Sequence, residues 1–251
     1  VDIDLNADLG EGFGRWTLGD DEALLDLITS ANVACGFHAG DPMIMRRVCE
    51  QAVVRGVAIG AQVGYRDLAG FGRRRMDIAP ADLTAEILYQ LGALQAFAMA
   101  AGDRVRYLKP HGALYNTVAH DETQAAAIVA AVRAFDASLP ILVAADSALA
   151  GIAATSGVGV IGEAFADRGY QPDATLVPRE RSGAMLDDDD LIARRAVTMA
   201  RTGQVTAVDG STLTLRVQSL CLHGDSPGAV ARARSVRTAL VAAGFTLTRF
   251  A

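Results

Sequence analysis

Three of the four histidines in this chain stand in short polar clusters, each at the end of an apolar run. The clusters are Asp4-Leu5-Asn6-Ala7-Asp8-Leu9-Gly10-Glu11, Cys35-Gly36-Phe37-His38-Ala39-Gly40-Asp41, Lys109-Pro110-His111-Gly112 and Cys221-Leu222-His223-Gly224-Asp225. Imidazoles, carboxylates and amines move protons, hold metal ions and stabilise developing negative charge. Alternation in an extended strand puts Asn6 and Asp8 on one side. A carboxylate there serves as a general base or a metal ligand, unless it merely caps a turn. His38 and Asp41 flank Gly40 at a strand-to-helix turn, where free N–H groups suit a carboxylate or oxyanion; Asp41 also suits a plain N-cap. Lys109 and His111, two apart, point the same way, and a lysine ending an apolar strand either snorkels or meets an anion. His223 and Asp225 are candidates for a base and its orienting carboxylate. Glu163 adds a carboxylate after a sixth apolar run, while His120 stands alone and reads as a surface residue. Each signal is weak singly, but packing does not explain ionisable groups at five or six strand ends. A divalent ion held by Asp8 with His38 or His111 fits the donor types. No HExxH, CxxC or GxSxG pattern is present, and Gly10-Glu11-Gly12-Phe13-Gly14 matches neither the Walker A nor the dinucleotide spacing.

The elements that must position these groups alternate. Strands are expected over Val1–Asp8, Ala31–Cys35, Val57–Gln62, Val105–Lys109, Ile141–Ala144, Val158–Gly162, Gln218–Leu222 and Phe245–Arg249. Helices are expected over Asp20–Ile28, Pro42–Arg55, Pro80–Ala101, Asp121–Phe135, from Ser147, over Asp187–Arg201, and over Ser226–Ala243 with Ser226 as cap and Pro227 next. A small hairpin of Val205–Val208 and Thr212–Arg216 turns at Asp209-Gly210. Apolar strands alternating with helices mean a parallel sheet covered by helices. Seven or eight βα units predict an α/β fold, a TIM-like (β/α) barrel, with an open doubly wound sheet as the rival. No linker or repeat divides residues 1–251, so a single domain is expected. Two long loops, Val63–Ala79 and Ala164–Leu186, the second carrying Arg168 and Arg179, have the length of lids or binding loops.

The bulk numbers exclude several classes. A chain of 251 residues with 51% hydrophobic content builds a sizeable core, and its net charge of −6 disfavours nucleic acid and anionic membranes as partners. No apolar run spans a bilayer and no signal peptide is visible, so a cytoplasmic protein is expected. Three cysteines read as buried free thiols in a reducing compartment rather than a disulfide, with a nucleophilic Cys35 as the sharper alternative.

The same clusters, together with Ser30-Ala31-Asn32-Val33-Ala34, Gly112-Ala113-Leu114-Tyr115-Asn116 and Glu163-Ala164-Phe165-Ala166-Asp167-Arg168, resemble the LamB/YcsF (lactam-utilisation) family from about Asp2 to Phe245. The resemblance implies a barrel of the glycoside hydrolase and deacetylase type. It also implies a hydrolase activity: as the A subunit of a 5-oxoprolinase, with B and C partner subunits, ATP-dependent opening of 5-oxoproline to glutamate. The positions carried over are Asn6, Asp8, Glu11, His38, Asp41, Lys109, His111, Glu163, Arg168, Arg179, His223 and Asp225. Under that reading Lys109 or Arg168 stabilises phosphate or oxyanion charge, Asp8, His111 or His223 activates water, and Arg179 grips the substrate carboxylate. One position departs: Gln62 stands where the family carries histidine, and glutamine neither titrates nor matches histidine as a ligand. The rival functions are a stand-alone metal-dependent deacetylase-like hydrolase and a non-catalytic binding protein.

Overall fold

Strand β1 (Asp2–Leu9) opens a computed structural model that describes residues 1–225 and 228–251. It is followed by helix α1 (Asp21–Leu25), β2 (Ser30–Ala34), α2 (Pro42–Arg55), β3 (Ala58–Val63), α3 (Pro80–Ala100) and β4 (Val105–Pro110). A short helix α4 (Gly112–Thr117), α5 (Glu122–Asp136), β5 (Ile141–Val143), α6 (Ala148–Thr155), β6 (Val160–Phe165) and α7 (Asp189–Thr202) come next. The hairpin β7 (Gln204–Thr206) and β8 (Thr212–Thr214), then β9 (Ser219–Leu222), α8 (Ala229–Ala242) and β10 (Thr246–Leu247), complete the chain.

Seven parallel strands, β1-β2-β3-β4-β5-β6-β9, form a closed barrel, because β9 pairs with both β6 and β1. The closed sheet replaces the open doubly wound alternative. The expected last strand shrinks to two residues that pair only with Asp2 and Ile3 at the start of β1, so the barrel has seven strands and not eight. Helix α4 is absent from the sequence-based expectations; six residues are too few for helical periodicity to show. The expected cap at Ser226 and Pro227 lies outside the described residues. Among the described residues no helix is long and apolar enough to cross a membrane.

Local chemistry explains the frame. Asp20, Asp41, Asp121, Ser147 and Asp188 each accept a backbone N–H at a helix start. Proline occupies the first turns of α2 and α3. On β1 the odd residues Ile3, Leu5, Ala7 and Leu9 belong to the apolar core, while Asp4, Asn6 and Asp8 carry the cross-barrel hydrogen bonds. Asp4 accepts from Thr29 and Ser30 hydroxyls at 2.6 Å each and from Ser219. Asn6 donates to Ser219 at 2.7 Å and accepts from Asn32 at 2.7 Å, and Tyr107 donates to Asn32 at 2.7 Å. The barrel is therefore filled by a polar column linking β1, β2, β4 and β9. Gly60 makes room for it: a Cβ there would lie 2.1 Å from the Tyr107 ring. The ring of Phe250 packs edge-on against Tyr107 at 4.9 Å.

Candidate active site

The column ends at the strands' C-terminal rim, where barrel enzymes place their chemistry. There Lys109 of β4, 2% exposed, donates to Asn6 and Asp8 at 3.2 Å and meets Glu163 of β6 at 2.7 Å and Cys221 Sγ at 3.0 Å. One ammonium faces two carboxylates. Burial works against its charge, but Asp8, Cys221 and Glu163 hold its pKa well above the usual lysine value. Burial also disfavours a charged Asp8, yet Lys109, His223 and the Asn32 amide at 2.8 Å hold that carboxyl below its ordinary range. Glu163 goes the other way; burial raises it despite Lys109. A single cation cannot neutralise both acids, so Asp8 is the charged one and Glu163 retains a proton more readily.

His223 sits beside this triad. Its Nδ1 pairs with Asp167 Oδ2 at 2.9 Å, which leaves Nε2 as its free nitrogen. Burial would raise Asp167, but the His223 charge and hydrogen bonds bring it down to about 2. The expected partnership of His223 with Asp225 is therefore corrected: Asp225 forms an ion pair with Arg73. The β6–β9 register explains it. Phe165 lies opposite Cys221, so Asp167 comes level with His223, whereas Asp225 has already left the strand. Nothing local in sequence ties residue 167 to residue 223.

A second cluster joins the ends of β1 to β4. The His38 and His111 rings stack at 3.9 Å and 16°, with Phe71 edge-on to both. Burial lowers His38 to about 4, and burial together with His38 lowers His111 well below its usual value, so both rings are neutral at pH 7. Gln62 bridges this pair to Glu11: its oxygen lies 3.3 Å from His38 Nε2 and its amide donates to Glu11 at 3.3 Å. Glu11 lies 3.6 Å from His111 Nε2, and burial followed by Asp8 repulsion raises its carboxyl well above the ordinary value. Gly72 closes over the stack at φ 64°; a Cβ there would lie 2.7 Å from His38 Cβ. These residues offer the carboxylate and imidazole donors a metal ion would need.

A cavity of about 820 Å³ opens at the rim, and Asp8, Lys109, His111, Glu163, Arg179 and His223 are on its wall. Arg168 also reaches it, but its guanidinium donates to Ala184 O at 3.0 Å and Val177 O at 2.7 Å. These two bonds also make Arg168 a pin for the Ala164–Leu186 loop. Arg179 on the same loop lines the cavity and has no hydrogen bond or ion pair among the described residues, and the same holds for Arg216 on another part of the wall. Asp41 is also corrected: its oxygens accept from Met43, Ile44 and Gly14 backbone N–H at 2.8 to 3.0 Å, so it caps α2 away from the cavity wall. Asn6 lies inside the barrel beneath Lys109, and Gln62 lies behind the cavity wall. Cys35 is buried, its thiol donates to Val33 O at 3.2 Å, and burial pushes its pKa far up, which suits packing rather than attack. Sequence reasoning leaves Asn32, Tyr107, Arg73 and Asp167 without roles; all four stand in or beside the clusters, and only cross-strand register reveals it.

The LamB/YcsF family profile matches residues 3–251. A protein from Streptomyces avermitilis, named as the A subunit of 5-oxoprolinase, is 61% identical over 99% of this chain and 100% of its own length. Another of that name from Mycolicibacterium gilvum is 59% identical over 99% of this chain and 98% of its own length. The crystal structure of a lactam utilization protein from Thermus thermophilus superposes with a TM-score of 0.95 at 42% identity, covering 100% of both chains. A polysaccharide deacetylase from Bacillus cereus, at 11% identity with a TM-score of 0.52 over 99% of this chain and 92% of its own, shares the fold alone.

Proposed function

The chain belongs to the LamB/YcsF family, and from that premise we propose that it is the A subunit of an ATP-dependent 5-oxoprolinase. In this reading it opens the lactam of 5-oxoproline to L-glutamate together with B and C subunits. The observation that carries the reading is one cavity wall holding Lys109 between Asp8 and Glu163 next to a His223 whose tautomer Asp167 sets.

A lactam is a resonance-stabilised amide, and its carbonyl carbon resists water until the oxygen is made a better electron sink. Phosphoryl transfer from ATP to that oxygen does so, and ADP leaves. Water then adds to the carbon, the ring C–N bond breaks, and phosphate is released by a second water. Asp167 accepts the Nδ1 proton of His223, so Nε2 takes the proton of the attacking water and returns it to the ring nitrogen as that nitrogen leaves. Lys109 is positive at neutral pH and supplies charge stabilisation to the phosphorylated oxygen of the lactam. Arg179, with no protein partner among the described residues, grips the substrate carboxylate by a two-point contact. No Walker A loop is present in the sequence, and ATP coupling is assigned to the assembled complex.

The test is glutamate formation coupled to ATP hydrolysis by the purified A, B and C subunits with 5-oxoproline. Turnover that disappears when this chain carries Lys109→Met supports the reading. Lack of glutamate from the wild-type complex rejects it, and turnover that survives Lys109→Met makes this chain a non-catalytic member of the complex.

A further inference from the structure

We propose that Glu11, His38, His111 and the side-chain oxygen of Gln62 form a binding site for one divalent transition-metal ion, behind the wall of the substrate cavity. The four side chains come from the C-terminal ends of four successive strands, β1, β2, β3 and β4, so the barrel itself converges them. One donor atom each from Glu11, His38 and His111 lies within 4.8 Å of the others.

The contacts are loose for hydrogen bonds. Gln62 to His38 and Gln62 to Glu11 are 3.3 Å, and Glu11 to His111 is 3.6 Å, against about 2.7–3.2 Å for a good N–H···O bond. They suit ligands around a shared ion: with metal–nitrogen bonds of about 2.0–2.1 Å in a tetrahedral site, neighbouring donors sit roughly 3.4 Å apart. Charge points the same way. Glu11 is 4% exposed; among the described residues its hydrogen-bonding and ionic contacts are an amide N–H and an imidazole, with no lysine or arginine paired to it. A buried carboxylate without a counter-charge is costly, and a dication supplies one. Gly64 and Gly72 cover the Nδ1 edges of the rings, while Gln62 and Glu11 lie on the Nε2 side. The rings stack nearly parallel at 16°, so binding one ion requires them to tilt until both Nε2 lone pairs, which lie in the ring planes, converge on it. Two imidazoles with one carboxylate select manganese, cobalt or zinc over magnesium or calcium, and an amide oxygen is a weaker fourth donor than a third imidazole.

The site stands independently of the lactam reading, because its test reads binding. The full chain is stripped with chelator and titrated with MnCl₂ and ZnCl₂ by calorimetry, with free Mn²⁺ followed by electron paramagnetic resonance. The expected result is one saturable site per chain. Glu11→Gln and His38→Ala weaken it by about tenfold or more, and His120→Ala leaves it unchanged. Gln62→His tightens zinc by about tenfold; as a gain of affinity, it is decisive even if a loss variant fails to fold. No saturable binding by the wild-type chain overturns the proposal. So does binding of equal strength in Glu11→Gln and His38→Ala, and an unchanged zinc affinity in Gln62→His removes Gln62 from the site.

Discussion

Asp167 shows how much rests on one atom of one side chain. Its Oδ2, 2.9 Å from His223 Nδ1, decides which imidazole nitrogen carries the proton. Asparagine is nearly the same shape, but its amide can donate to Nδ1 and leave the proton on Nε2, where it cannot accept from water. Asp167→Asn in the assembled enzyme is therefore expected to lower kcat by about 10²–10⁴-fold with KM for 5-oxoproline little changed. An unchanged kcat in steady-state assays would remove His223 from proton transfer. At the same scale Gln62 is not a damaged base. It bridges Glu11 and His38 and does not line the cavity, so the departure from histidine alters the buried cluster behind the site and not the cavity wall.

Alternation along the strands converts an ordinary period of two into a polar column inside the barrel. Asp4 anchors its lower end, joining β1 to Thr29 and Ser30 and to β9 through Ser219. Burial pushes this carboxyl up to about 6 from 3.8, against three hydroxyl donors. The folded chain thus holds the proton more tightly than the unfolded chain. The resulting stability is fully present below the unfolded pKa and is lost as pH rises through about 6. The difference amounts to about 3 kcal/mol. Denaturant unfolding of wild type and Asp4→Asn should show it. The stability of wild type relative to the variant is expected to fall by about 3 kcal/mol between roughly pH 4 and pH 8. Parallel pH profiles for the two proteins would contradict this assignment. The succession of strands and helices and the caps at Asp20 and Asp41 were legible in the sequence because they depend on neighbours in the chain. The loss of the eighth strand was not, because two residues at the chain's end acquire strand pairing only from β1.

The whole molecule brings the loops after β3 and β6 over one rim. Arg73 reaches Asp225, and Arg168 ties the second loop through Ala184 and Val177 while Arg179 stays unengaged in the cavity among the described residues. A preformed cavity predicts that the isolated chain binds the lactam. At a concentration about 100 times Kd, 5-oxoproline is expected to raise Tm by about 5–10 °C in a thermal scan, and Arg179→Met should abolish the rise. A shift that persists in Arg179→Met would place the substrate carboxylate elsewhere. The sequence by itself determined the parallel α/β architecture, the strand ends that carry the site and the family, because apolar periodicity, caps and local clusters are properties of short stretches. Tertiary structure decided the partnerships. His223 meets Asp167, Asp225 meets Arg73, Lys109 is held between Asp8 and Glu163, and Asp41 and Arg168 serve the scaffold. The pairings of His223, Asp225 and Lys109 join residues tens to more than a hundred positions apart, and only the closure and register of the barrel bring them within a hydrogen bond's reach.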